Sequence, residues 1–138
     1  MKLYRAIRKA ADGLPEVGPT KRTLGVRPGD RAPNNDVRAV RPDDPVAPGT
    51  GGMSVAPDDP IHLPRFLRPS EFGGTGKDPI WEIDDANLPP ELLFRQDKAT
   101  HGMIEPKDEI TLAEYQSALA STRNRWRLVP PPATGGQP

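Results

Sequence analysis

Ala47-Pro-Gly-Thr-Gly-Gly-Met-Ser-Val55 lies between two stretches of turn chemistry, Pro42 to Pro48 and Ala56-Pro-Asp-Asp-Pro60. Its reading decides the fold. Gly52 to Val55 has the alternation of a short strand, with Met53 and Val55 on one face and Ser54 on the other. Glycines ahead of such a strand let backbone approach a neighbour closely, and they equally suit a plain hairpin turn. The stretch is not a phosphate-binding P-loop, because no Gly-Lys-Ser/Thr follows it.

Outward from there the chain reads as short strands separated by loops. Leu3 to Ala6 is a strand that runs into a brief helix through Ala11 or is replaced by a helix over residues 3 to 11. Residues 12 to 45 form a long irregular excursion, of the kind that is functional or disordered in a compact domain. Leu63, Phe66 and Leu67 suit one turn packed on the core, and Asp58-Asp59 shapes a prolyl turn. Ile80 to Ile83, Glu91 to Arg95 and Thr100 to Ile104 are further strands. The clearest helix begins at Thr111, where Thr111-Leu-Ala-Glu114 has the spacing of a capping box. Leu112, Tyr115, Leu119 and Trp126 are spaced as its apolar stripe, and Trp81 and Trp126 are core residues. Short strands, one good helix and many loops make an α+β chain.

Composition sets the limits. At 138 residues one domain is expected, burying roughly 68% of the surface of the unfolded chain. Nineteen Pro and thirteen Gly in a chain only 34% hydrophobic point to short elements, and to a domain over residues 1 to 129 followed by a disordered tail, Pro130 to Pro138. The absence of cysteine excludes disulfides and thiolate metal sites. His62, His101, Asp58 and Asp59 lack the close spacing of metal ligands. Arg5, Arg8 and Lys9 interrupt any signal-peptide core, and no apolar run reaches the roughly 18 residues of a membrane helix. Export would therefore need a dedicated machine. Net charge is zero, yet Met1 to Arg41 carries ten basic and four acidic residues, which leaves nine basic and fifteen acidic ones from Pro42 onward. A phosphate-bearing ligand is one reading of the positive N-terminal part, and solvated loop charge is the other.

Four blocks occur in one order: LYRAI at Leu3 to Ile7, APGTGGMSV, LPPELLFRQD at Leu88 to Asp97, and ATHGMIEP at Ala99 to Pro106. That order resembles the second-member family of the Tse toxins, interbacterial effectors exported by type VI secretion, whose blocks read LYRA, APDTGGTSV, IPPDLKVKQD and ATHYTIMP. The blocks cover about a quarter of the chain and span it from end to end. Met53 departs from the family's threonine, so that hydroxyl is absent. The resemblance implies an ADP-ribosyltransferase-like fold with two small antiparallel sheets around a cleft, NAD as ligand and action in the cytoplasm of a target cell. It also implies a cognate immunity protein and a secretion-apparatus carrier as partners. A membrane is not expected, and nucleic acid is the less favoured partner, because the overall charge is balanced and no apolar run is long enough to span a bilayer.

Beside that resemblance, Arg5 is placed on the NAD phosphates or ribose, since guanidinium offers oxygens a planar fork, and Tyr4 beside it is counted in the cofactor site. Gly51, Gly52 and Met53 would line the nicotinamide pocket, with Ser54 pointing its hydroxyl into it. Gln96 and His101 would bind ribose hydroxyls or orient the acceptor, and an imidazole can serve as a base. No catalytic carboxylate is assigned to Glu91 or Glu105. The rival readings are a non-catalytic, protein-binding toxin on the same fold and a toxin directed at nucleic acid through residues 2 to 41.

Overall fold

The computed structural model describes residues 1–30 and 35–132. Among the described residues, eight strands and one α-helix follow in the order β1 (Lys2–Ala6), β2 (Pro45–Val46), β3 (Met53–Pro57), β4 (Ile80–Asp84), β5 (Leu92–Lys98), β6 (His101–Pro106), β7 (Ile110–Thr111), α1 (Leu112–Ser121) and β8 (Arg127–Leu128). The fold class is α+β, as the sequence suggested. The sheets differ from the expectation. Six strands form one antiparallel sheet in the order β5-β6-β3-β1-β4-β8, and β2 pairs only with β7.

The six-stranded sheet is nonetheless divided within β3. Met53, Ser54 and Val55 pair with Ile104, Met103 and Gly102 of β6. Ala56 and Pro57 pair instead with Tyr4 and Leu3 of β1 on the opposite edge. Strand β1 keeps its partner β4 along its whole length, from Lys2 opposite Asp84 to Ala6 opposite Ile80. Arg5 and Ala6 therefore part from β3 just where β3 takes up β6. The two strand groups share one strand, and the opening lies beside it.

Alternation sorts the two faces. Leu3, Trp81, Ile83, Met53, Val55 and Ile104 join the main core against α1, whereas Tyr4, Ala56, Leu63 and Ile80 form a second cluster. Thr111 starts α1 with the expected capping box, its Oγ1 accepting from the Glu114 N–H (3.1 Å) while the Glu114 carboxylate accepts from the Thr111 N–H (3.0 Å). Leu112, Tyr115, Ala118 and Leu119 are its buried face. Helix α1 ends at Ser121, so Trp126 is not on its stripe. It is buried one 3-10 turn later, with its indole N–H on Thr122 Oγ1 (2.9 Å). Nor does β1 run into a helix: Lys9 bridges Pro15 across a turn, because Gly13, with φ +85°, folds the chain back. The long excursion is irregular as expected but anchored, with Leu24, Val26, Val37 and Ala39 in the core. The expected tail lies outside the described residues from 133 onward.

Helix and sheet meet at Tyr115. Its fully buried hydroxyl accepts from the Met53 N–H (3.1 Å) and donates to the Ile104 carbonyl (2.5 Å), at the register pair joining β3 to β6. Tyr115→Phe leaves both groups buried without that partner and is expected to cost about 1–3 kcal/mol. Thermal unfolding should show a Tm lower by roughly 5–10 °C, and an unchanged Tm would contradict the role.

Arg5 is the second tie. Its side chain turns inward from β1 and spans the opening beside β3, with Nη1 donating to the Ser54 carbonyl (2.8 Å) and Nε and Nη2 to the Thr23 carbonyl (3.2 and 2.9 Å). Longer bonds of 3.4 Å reach the Thr20 and Gly25 carbonyls. Lysine carries one ammonium and cannot reproduce a planar fork. Arg5→Lys should lower the unfolding free energy by about 2–4 kcal/mol, since hydrogen bonds to charged groups contribute about 1.5–3 kcal/mol each. Urea denaturation measures it as a lower midpoint at constant slope.

Candidate functional site

The opening beside β3 continues into a pocket of about 380 Å³, within the range of small-molecule sites. Arg5 and Ala6 from β1 and Ser54 to Ala56 from β3 meet Lys98, Thr100 and His101 from the β5–β6 hairpin there. Lys21 and the segment from His62 to Leu67 close the remaining sides.

Pleating puts the polar groups in place. Ser54 lies opposite Met103, and residues two apart share a face, so Ser54 and His101 project on the same side of the sheet. Met53 and Val55 are fixed in the core behind them. The imidazole is oriented by its neighbour, with His101 Nδ1 2.7 Å from Asp97 Oδ1 across the hairpin. That hydrogen bond holds the Asp97 carboxyl below the usual range and leaves Nε2 as the free imidazole nitrogen. The segment from His62 to Leu67 is braced from below: Asp59 caps the turn Pro60–His62 through the Ile61 N–H (2.9 Å), and Leu63 packs on Tyr4 and Ala56.

Arg5, Ser54 and His101 thus converge on one pocket. The guanidinium of Arg5 is only 7% exposed, and burial lowers its pKa to about 10, so it stays charged at neutral pH. Its fork faces main-chain carbonyls, and these hold the Thr20–Thr23 turn that carries Lys21 at the pocket mouth. Tyr4 sits in the second cluster and supports the pocket wall from behind. Gly51, Gly52 and Met53 are not among the lining residues. The glycines answer to packing, since a Cβ at Gly51 (φ +130°) would lie 2.2 Å from the Asp36 carbonyl oxygen and one at Gly52 2.8 Å from that of Ile104. Gln96 is exposed and donates to the Lys98 carbonyl (3.0 Å), outside the pocket. Glu105 is fully buried, its carboxylate between Arg95 Nε (2.5 Å) and the Gly49 N–H (2.9 Å), also outside it.

Sequence reasoning missed Lys21, Lys98, Thr100 and the oriented pair with Asp97. Asp97-Lys-Ala-Thr-His101 does contain a signal, an acid and an imidazole separated by the length of a tight hairpin. Lys21 had only the positive charge of residues 1 to 41 as a signal, and the Arg5 contacts bring its turn to the cleft. The pocket is therefore cationic, through Arg5, Lys21 and Lys98, with apolar walls and no carboxylate among its lining residues. Such a lining suits a flat apolar ring joined to a phosphate-bearing part.

Neither the curated proteins nor the solved structures contain a match to this chain. A family model described as the Tse2 ADP-ribosyltransferase toxin matches residues 2–126, and the chain therefore belongs to that family.

Proposed function

We propose that the chain is an effector toxin that transfers ADP-ribose from NAD in the cytoplasm of a target bacterium, reaching it by type VI secretion and held in check by a cognate immunity protein. The observation that carries the reading is the convergence of Ser54, His101 and three cationic side chains on one cleft. In the reaction the bond between nicotinamide and ribose C1′ breaks, and its electron pair leaves with nicotinamide. The transition state has oxocarbenium character, comparable with glycoside hydrolysis. The acceptor then forms its bond to C1′ and gives its proton to the His101 imidazole, with Asp97 opposite to stabilise the cation formed. Ser54 offers a hydroxyl to the nicotinamide carboxamide or the ribose. Lys21 and Lys98 face the diphosphate, and Arg5 keeps the floor in place.

One observation favours a second reading. Many enzymes of this kind set a carboxylate against the developing positive charge, and the pocket presents none. A protein that binds NAD or another protein here without turnover would have the same cleft.

Release of labelled nicotinamide separates the two. The wild-type chain is expected to release it, with kcat/KM reduced at least tenfold in Ser54→Ala and about a hundredfold in His101→Ala. Asp97→Asn, which removes the carboxylate bonded to the imidazole, should fall between wild type and His101→Ala. Retention of NAD without release selects the binder, and three variants as active as wild type would remove these residues from the site. Expression inside a host provides the matching readout, with growth arrest lost in His101→Ala and relieved when the immunity protein is supplied.

A further inference from the structure

A second depression adjoins the first. Lys21, Phe66 and Leu67 line both, so these residues form a ridge between two compartments of one groove. The second compartment holds about 190 Å³ and is walled by Thr75, Lys77 and the Arg22–Asp78 pair. That pair is bidentate, at 2.8 Å for both contacts, so its charges cancel locally. Neither Lys21 nor Lys77 takes part in an ion pair among the described residues. Unopposed charge therefore sits on the ridge and beyond it.

Phe66, expected from the sequence in a turn packed on the core, belongs to neither core cluster, and only Leu63 of that turn is buried there. Phe66 is 61% exposed in a chain with three phenylalanines, while Tyr4, Trp81 and Tyr115 of the sheet and helix are buried and Phe94 is partly buried against the core. The loop nevertheless holds it in position. Thr75 N–H donates to the Arg65 carbonyl (3.0 Å), Gly76 N–H to that of Arg68 (2.7 Å), and the Arg68 guanidinium to the carbonyls of Leu63 (3.0 Å) and Phe72 (2.6 Å). Gly74 permits the crossing, since a Cβ there would lie 2.1 Å from the Arg68 carbonyl oxygen. A braced loop that keeps a phenyl ring in water, flanked by free ammonium groups, has the composition of a base-stacking and phosphate-binding surface.

We propose that the ridge is the adenosine diphosphate half of the ligand site: an adenine ring lies on Phe66 in the second compartment and the diphosphate crosses Lys21. The nicotinamide riboside end is then left to the compartment of Ser54 and His101. This assignment rests on NAD as the substrate, and it can be tested apart from the reaction. Arg5 enters it indirectly, because its bonds to Thr20 and Thr23 set the height of the turn bearing Lys21.

Calorimetric titration of the full chain with ADP and with nicotinamide mononucleotide tests the assignment. Phe66→Ala should weaken ADP about tenfold and nicotinamide mononucleotide less than twofold, whereas Phe66→Trp should retain ADP affinity. Lys21→Ala should weaken ADP at least tenfold, with an affinity that depends less steeply on salt. An ADP affinity indifferent to Phe66→Ala, an equal loss for both nucleotides, or no binding of ADP to the wild-type chain would overturn it. ADP binding that depends on Phe66, in a chain that releases no nicotinamide, would keep the subsite and discard the reaction. Nicotinamide release unaffected by Phe66→Ala would keep the reaction and discard the subsite.

Discussion

The guanidinium of Arg5 is the interaction on which the cleft depends. Strand β3 is paired on one edge up to Val55 and on the other only from Ala56 onward, so the main chain of Ser54 faces an opening instead of a neighbouring strand on the β1 side. An open seam inside a sheet leaves carbonyls without ladder partners, and buried main-chain groups are costly when unpaired. Arg5 supplies the donors, to Ser54 on β3 and to Thr20, Thr23 and Gly25 on the neighbouring loop. The charge itself is solvated by carbonyl dipoles, because no carboxylate touches it. The sheet thereby stays divided without losing its hydrogen bonding, and the groove beside β3 becomes a standing feature of the fold.

Everything at the mouth of the groove is tied to that seam. The Lys21 turn hangs on Arg5, and its own geometry is closed by Thr23 Oγ1, which accepts from the Thr20 N–H (3.0 Å) and donates to the Gly18 carbonyl (2.6 Å). The His101 side is set by the register of β6 on β3, which Tyr115 locks from the helix. The third wall rests on Tyr4 and Ala56 through Leu63. Three loops from distant parts of the chain are thus each referred to the same two strands, a rigid scaffold presenting a site on its connections.

Local patterns were legible in the sequence and long-range consequences were not. Thr111 and Glu114 announced α1, and the alternation of Met53, Ser54 and Val55 placed the serine hydroxyl on the cleft side, because both are decided within one turn or one pleat. The helix end was misread at Trp126, where the apolar spacing continues although the chain has already left the helix after Ser121. Gly51 and Gly52 show the opposite limit. Their occurrence called for a close approach, and the partners are the Asp36 and Ile104 carbonyls, which no local pattern could supply. Lys21 and Phe66 belong to segments outside the four family-like blocks, and only tertiary contacts bring them to the groove.

The electrostatics of the groove restrict how the proposed chemistry can run. A site carrying Arg5, Lys21 and Lys98 stabilises anions, while a transition state of oxocarbenium character is a developing cation. At about 4 Å and the effective dielectric of a protein surface, each uncompensated pair of like charges costs about 4 kcal/mol, enough to slow a reaction roughly a thousandfold. A bound diphosphate brings two negative charges into the same groove, and these offset the lysines before the glycosidic bond lengthens. The fully buried Glu105 cannot take that part while Arg95 and Gly49 hold it outside the pocket. Asp97 is engaged with His101 and does not line the pocket, so for ADP-ribosyl transfer on this scaffold the negative charge facing C1′ comes from the substrate's own phosphates or from the acceptor, and a neutral acceptor leaves the phosphates as its source.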